Sequence, residues 1–304
     1  MVDIVVLGSL NMDLAIRVPR IPAPGETISG GNLNSSCGGK GANQAAAIAR
    51  LGGEVAMVGC VGQDDFGRQL RAALEDAGVN TDFTTAIPEV PTGNAVILVD
   101  QKGENCIVLS AGANAQVNLT PTIQNLIENA QILLVQLEIP LPVVVEAIRV
   151  AHLAGVTVIL NPAPAAALPE ELYPMVDYLI PNETEAEQLS GIKIHDQKSA
   201  ENAAKVLLYR GVKRVAITMG DQGAILVTEK GTDNVPAFKV TPLDTTGAGD
   251  AFIGGFTTAL TEGVALHEAL RFAAGAGALA ATREGAQISL PSRKELEEFL
   301  RQHQ

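Results

Sequence analysis

Apolar residues recur along the chain in runs of two lengths, and those lengths predict its elements. Short continuous runs at residues 3–8, 55–61, 132–137, 156–160, 176–180, 215–218 and 224–228 read as strands buried on both faces. Longer segments with helical spacing lie at 42–51, 66–77 and 141–153; Gly52-Gly53 ends the first and Gly78 the second. Asn182 followed by Glu185 predicts a capped helix start. Residues 251–282 read as two packed helices rich in Ala and Gly, and 293–301 as a last amphipathic helix. From residue 120 onward strands and helices alternate, which argues for a mostly parallel sheet with helices on both faces. Residues 14–36, and a hairpin whose strands 96–99 and 106–109 flank a turn containing Gly103, break that rhythm and are expected to form a small accessory sheet. No internal repeat or linker divides residues 1–304, so a single α/β domain is expected.

Composition narrows the function classes. Hydrophobic residues make up 47%, which excludes intrinsic disorder. The apolar runs fall short of the ~18–20 residues of a membrane span, and no signal peptide is expected, so a cytoplasmic protein without a membrane partner is the reading. A net charge of −13 argues against nucleic acid as a partner. The three cysteines, Cys37, Cys60 and Cys106, fit neither a disulfide framework nor a zinc site, and the four histidines share no ligand spacing.

The densest candidate chemistry is Leu243-Asp244-Thr245-Thr246-Gly247-Ala248-Gly249-Asp250-Ala251-Phe252. A helix beginning at Ala251 would leave the N–H groups of Gly247, Ala248 and Gly249 free at its N-terminus, where donors and macrodipole attract an anion. Asp250 beside that anion hole is placed to deprotonate a hydroxyl while a phosphoryl group arrives. Gly38-Gly39-Lys40-Gly41-Ala42-Asn43 is not a Walker A loop, because Gly follows its lysine. It is either a glycine turn into a helix or a loop whose backbone, Lys40 and Asn43 hold a polyhydroxylated ligand. Asn11 and Asp13 after the first strand form either a turn or a ligand wall, and Glu138 likewise follows a strand. Asn182 and Glu185 are a helix cap, or else Glu185 holds a water of phosphate-bound Mg²⁺. Thr218-Met219-Gly220-Asp221-Gln222-Gly223 is a simple turn or a backbone cradle for a nucleotide.

Taken in order, these segments resemble the ribokinase-like carbohydrate kinase family. The resemblance runs from Val5-Val6-Leu7-Gly8-Ser9-Leu10-Asn11-Met12-Asp13 to the end. It includes Gly38 to Gln44, Asn161-Pro162-Ala163-Pro164, Pro181 to Glu185 and Asp244 to Asp250. It implies a central sheet with flanking helices, a β lid from residues near 14–36 and 94–110, and a homodimer formed through that lid. It also implies ATP-dependent phosphorylation, and the Asn43-Gln44 pair points to D-ribose and its 5-hydroxyl, with in-line transfer and Asp250 as base. Fructokinase, deoxyribokinase and adenosine kinase are the neighbouring activities, and a sugar- or nucleotide-binding sensor without catalysis is the alternative of another class. By position, Asn11, Asp13, Gly39, Lys40, Asn43 and Glu138 would hold the sugar. Asn182, Thr218, Gly220 and Gly223 would line the ATP side, with Glu185 near Mg²⁺. Asp244, Thr246, Ala280, Arg283, Gly285 and Ser289 would form a loop for K⁺ or another monovalent cation. The resemblance departs at Ala274, where some members carry a His beside the adenine.

Overall fold

The structure is a computed structural model that describes residues 2–303. The chain opens on β1 (Ile4–Leu7), every residue of which is fully buried. Ile4 and Val6 enter one core cluster while Val5 and Leu7 enter the other, the period-two alternation of a strand covered on both faces. Next come β2 (Asn11–Arg17), β3 (Leu33–Gly38) and α1 (Lys40–Arg50), then β4 (Val55–Gly62), α2 (Asp65–Asp76) and β5 (Thr84–Ile87). The hairpin β6 (Gly93–Val99) and β7 (Asn105–Ser110) precedes α3 (Pro121–Glu128), β8 (Ile132–Val135), α4 (Leu141–Ala154) and β9 (Thr157–Leu160). After the short β10 (Tyr178–Leu179) follow α5 (Glu183–Ser190), α6 (Gln197–Tyr209), β11 (Arg214–Thr218), β12 (Ala224–Thr228) and β13 (Gly231–Val235). The chain closes on α7 (Ala248–Thr261), α8 (Leu266–Ala281) and α9 (Arg293–Gln302).

Two sheets result. The larger has nine strands in the order β13-β12-β11-β10-β9-β8-β1-β4-β5, parallel from β11 through to β5, with antiparallel β12 and β13 at one edge. The chain leaves β1 towards β4 and β5 on one side and returns to β8 on the other, so the order reverses beside β1. Open α/β sheets bind ligands outside the carboxyl ends of their strands at such a reversal. Those ends here deliver Ser9, Gln136, Glu138, Asn161, Asn182 and Thr218. The smaller sheet, in the order β3-β2-β6-β7, joins β2 and β6 in parallel and the other pairs antiparallel. It is the expected small accessory sheet.

Helices α1, α7 and α8 cover one face of the large sheet, and α4 and α6 the other. Each fully buried Leu, Ile or Val side chain in these layers stabilises by roughly 1.5–3 kcal/mol. Gly254 lets α7 settle onto α1, since a Cβ there would strike the Ala47 methyl. That close approach sets Asp250 against Asn43 and Gln44.

Several boundaries differ from the sequence reading. Asn11 and Asp13 are the first residues of β2 rather than part of a turn, because the β6 backbone pairs with them. Helix α7 starts at Ala248, capped by Gly247 in the left-handed region (φ 77°), so Asp250 lies inside its first turn rather than just before it. Elements α3, α6, β5 and β13 were not expected, and Glu138 lies beyond β8 rather than directly at its end.

Candidate active site

The wall expected to hold hydroxyls is built around Glu138. Its Oε2 accepts from Ser9 Oγ at 2.5 Å and from the Lys40 backbone N–H at 3.2 Å, with Asn11 Nδ2 at a long 3.5 Å. Asn114, in a 3₁₀ turn after the lid hairpin, accepts from Leu10 N (2.9 Å) and donates to Leu10 O (3.1 Å) and Asn11 Oδ1 (2.8 Å). The Asn11 amide is therefore fixed in orientation, its oxygen towards Asn114 and its nitrogen towards Glu138. Gly39 has φ 91°, and a Cβ there would lie 2.6 Å from Asn11 N. Only glycine permits both that conformation and that approach.

Charge is concentrated here. Burial pushes the Asp13 carboxyl up to about 7, helped by Glu138 and Asp250 and opposed by Lys40. Burial pulls the Lys40 ammonium down, but Asp250, Glu138, Glu185 and Asp13 together outweigh it and hold its pKa above the usual lysine value. Burial also raises Glu185, with Asp250 adding to it, against the Asn182 N–H and Lys40. One ammonium thus stands among several carboxylates, a site short of positive charge until more arrives.

Asp250 is buried, and both its oxygens are held: Oδ2 accepts from Asn43 Nδ2 and Oδ1 from Gln44 Nε2, each at 2.9 Å. Asn43 Oδ1 is buried without a partner, an acceptor left over for a ligand O–H or N–H. Asp250 opens onto a cavity of about 200 Å³ that Lys40, Asn182, Glu185, Thr218, Gly247 and Gly249 also line, with Asn161 and Thr245. Of the three glycine-loop amides, that of Ala248 is engaged within the loop, donating to Thr245 O at 3.2 Å. Gly247 and Gly249 border the cavity and Ala248 does not.

At the far wall, Asn182 and Glu185 form the capping box of α5. Asn182 Oδ1 accepts from Glu185 N, and Glu185 Oε2 from Asn182 N, both at 2.9 Å. The buried Glu185 side chain both closes the cap and borders the cavity, so neither reading of it displaces the other. Gly220 (φ 51°) and Gly223 (φ 93°) do form the turn after β11, but neither borders this cavity. Gly223 has a structural reason to be glycine, since a Cβ would strike Val235 O.

The residues expected to hold a monovalent cation form a separate cluster. Asp244 Oδ1 accepts from Thr246 N and Oδ2 from Gly285 N, each at 2.9 Å, and Asp244 N and Leu243 N donate to Ala281 O. Arg283 N reaches Ala280 O, while its guanidinium pairs with Glu295. Ser289 Oγ donates to Ala286 O, whose backbone also packs against Gly247. The loop before α7 is thereby tied to the turn after α8. Among the described residues no group of three or more His, Cys, Asp and Glu forms a metal cluster.

Sequence reasoning named neither Ser9, Gln44, Asn114, Gln136 nor Asn161 as site residues. The available signal was a polar side chain inside or at the end of an apolar run, as in Gln136 and Asn161.

The fold and this site together define a kinase of small hydroxylated metabolites, and comparison with known proteins agrees. The pfkB family carbohydrate kinase model matches residues 1–293, and the chain belongs to that family. It is 45% identical over 298 residues to the ribokinase of Haemophilus influenzae (97% of each chain), and 36% identical over 302 residues to the deoxyribokinase of Salmonella typhimurium (98% of each). Its fold superposes on Arabidopsis thaliana ribokinase complexed with ribose and ATP with a TM-score of 0.93, at 35% identity and 99% coverage of both chains. Among the described residues no helix is long and apolar enough to cross a membrane.

Proposed function

We propose that this protein transfers the γ-phosphoryl of ATP to the 5-hydroxyl of D-ribose. The observation that carries the proposal is Asp250: a buried carboxylate gripped at both oxygens, in the first turn of α7, between a hydroxyl-binding wall and the Asn182–Thr218 side of one cavity. The relatives and the ribose- and ATP-bound structure support ribose and ATP as the pair.

In this mechanism Asn11, Asp13, Gly39, Lys40, Asn43 and Glu138 orient the sugar, and Asn43 Oδ1 takes one of its hydroxyls. The nucleotide enters along Asn182 and Thr218, with the turn carrying Gly220 and Gly223 beyond them. Gly247 and Gly249 present their N–H groups to the transferring phosphoryl, with Lys40 supplying fixed charge. Most of the acceleration comes from positioning and charge stabilisation. Asp250 accepts the hydroxyl proton late, once oxygen–phosphorus bonding has acidified it.

Glu185 lines the cavity beside Asn182 and Thr218, away from the sugar wall, which suits a Mg²⁺ ion that arrives on the nucleotide and keeps its waters. That ion, when bound, neutralises phosphate charge. The Asp244 cluster offers backbone carbonyls around one carboxylate, a donor set for K⁺ or another monovalent cation rather than a divalent one. Such an ion would order the loop carrying Gly247 and Gly249 without touching substrate. The exposed apolar side chains of the lid, Leu33, Ile107, Val108 and Leu109, support a homodimer formed there. A soluble cytoplasmic enzyme is consistent with all of this.

Coupled ADP release with ribose, deoxyribose, fructose and adenosine, each with and without K⁺, tests the reading. Ribose should give the highest kcat/KM, and K⁺ should raise kcat. Preference for deoxyribose or adenosine would reassign the substrate, and ribose binding with no ADP release would make the protein a sensor.

A further inference from the structure

Two fully buried glutamines lie behind Asp250 without bordering the cavity: Gln44 on α1 and Gln136 just past β8. Gln44 Nε2 donates to Asp250 Oδ1 at 2.9 Å and to Asn161 Oδ1 at 3.1 Å. Asn161 presents its oxygen there because its Nδ2 donates to Ile180 O at 3.0 Å. At the other end of the amide, Gln44 Oε1 accepts from Gln136 Nε2 at 2.6 Å.

The direction of this chain is forced. A carboxylate only accepts, so Gln44 must turn its NH₂ towards Asp250 and Asn161, which leaves its oxygen for a donor. Gln136 supplies that donor, and its own Oε1 has no partner and packs where Gly8 leaves room. An amide buried with an unpartnered oxygen costs stability that an apolar side chain would not. Core packing therefore does not explain the pair.

We infer that Gln136 and Gln44 form a directed amide relay that aims the Asp250 carboxylate, so that both are positioning residues for phosphoryl transfer. Asn43 grips the other oxygen of Asp250 and keeps its own Oδ1 unpartnered, open to a ligand. Gln44 and Gln136 are fully buried and do not border the cavity. The inference rests on Asp250 being the base.

The test is steady-state kinetics on the full-length enzyme with Gln44→Met, Gln136→Met, Gln136→Glu and Asp250→Asn, alongside thermal melts. Gln44→Met should lower kcat by about 10²-fold and Gln136→Met by about tenfold, with the ribose KM within about threefold, because aim is lost while the sugar wall is intact. Gln136→Glu above neutral pH should fall below Gln136→Met, since the introduced carboxylate forces the Gln44 amide to turn its oxygen towards Asp250. Part of that loss should return on acidification, when the introduced acid can donate again. Asp13, Lys40 and Glu185, which face Asp250, and Glu138 beside Asp13 and Lys40 are unchanged in the relay variants and common to their pH profiles. If Gln136→Glu does not fold, the kcat-against-KM split in the two Met variants decides alone. Folded Met variants with kcat within twofold of wild type, or with KM rising as much as kcat falls, would overturn the relay. If Asp250→Asn is itself near wild type, the base assignment fails instead.

Discussion

Every residue of β1, β4 and β8 in the large sheet is buried, whereas all of β7 in the lid is exposed and β3 is covered only towards Gly38. The two sheets face the same site under different constraints. In the large sheet, side chains reach the cavity from strand ends clamped between two helical layers, so Asn161, Asn182 and Thr218 have their geometry fixed before any ligand arrives. The lid has one face to cover and nothing of its own to cover it with. Asn11 and Asp13, the small sheet's contribution to the proposed sugar wall, come from the end of β2 nearest β1. The buried ends of the large sheet hold polar side chains in place, while the small sheet leaves Leu33, Ile107, Val108 and Leu109 exposed.

Asp13 combines burial with neighbouring carboxylates, and Asp13→Asn should have the larger effect. Its folded value of about 7 stands above the ordinary aspartate value of 3.8, so the folded state binds the proton more tightly. Stability from this group is complete below about 3.8, falls as pH rises, and is lost above about 7. Asp13→Asn should therefore melt above wild type at pH 8, by about 2–4 °C, with the gap closing as pH falls towards 4. The same variant should lose ribose affinity by about tenfold or more, a charged acceptor having been removed. A variant that binds ribose normally would move Asp13 out of the sugar wall.

Ile107→Lys with Val108→Lys should have the smaller effect on chemistry. Both side chains are exposed, at 51% and 64%. Sedimentation should show dimer giving way to monomer, with kcat changed by less than about threefold. An unchanged oligomer would place any dimer contact elsewhere, and a collapse of kcat would show that the lid shapes the reacting centre after all.

Legibility in the sequence followed the same division. The apolar runs that became β1, β4, β8 and β9 were readable because burial on both faces leaves an unbroken hydrophobic signature. The α5 start was readable because its capping box is local, Asn182 to Glu185. Strand β3, with the sequence LNSSCG, was not readable as a strand on its own, since a lid edge with no covered face keeps no alternation. Helix α6 was overlooked although Asp196 and Ser199 box its start. The deepest gap was the amide chain behind Asp250. Gln136 meets Gln44 across 92 residues, and Gln44 meets Asp250 across 206. Nothing local to a glutamine says which distant carboxylate it will face. The site's chemistry was legible as residue types at strand and helix ends, and its aim was not.

The central claim is that the floor holds a catalytic carboxylate ready for a hydroxyl. Single-turnover phosphorylation of ribose by Asp250→Asn is the sharpest test, because Asn keeps the size and one of the two oxygens that accept from Asn43 and Gln44 while losing the capacity to take the proton. The rate should fall by about 10²–10⁴-fold with ribose binding little changed; a rate within twofold of wild type would rule Asp250 out as the base.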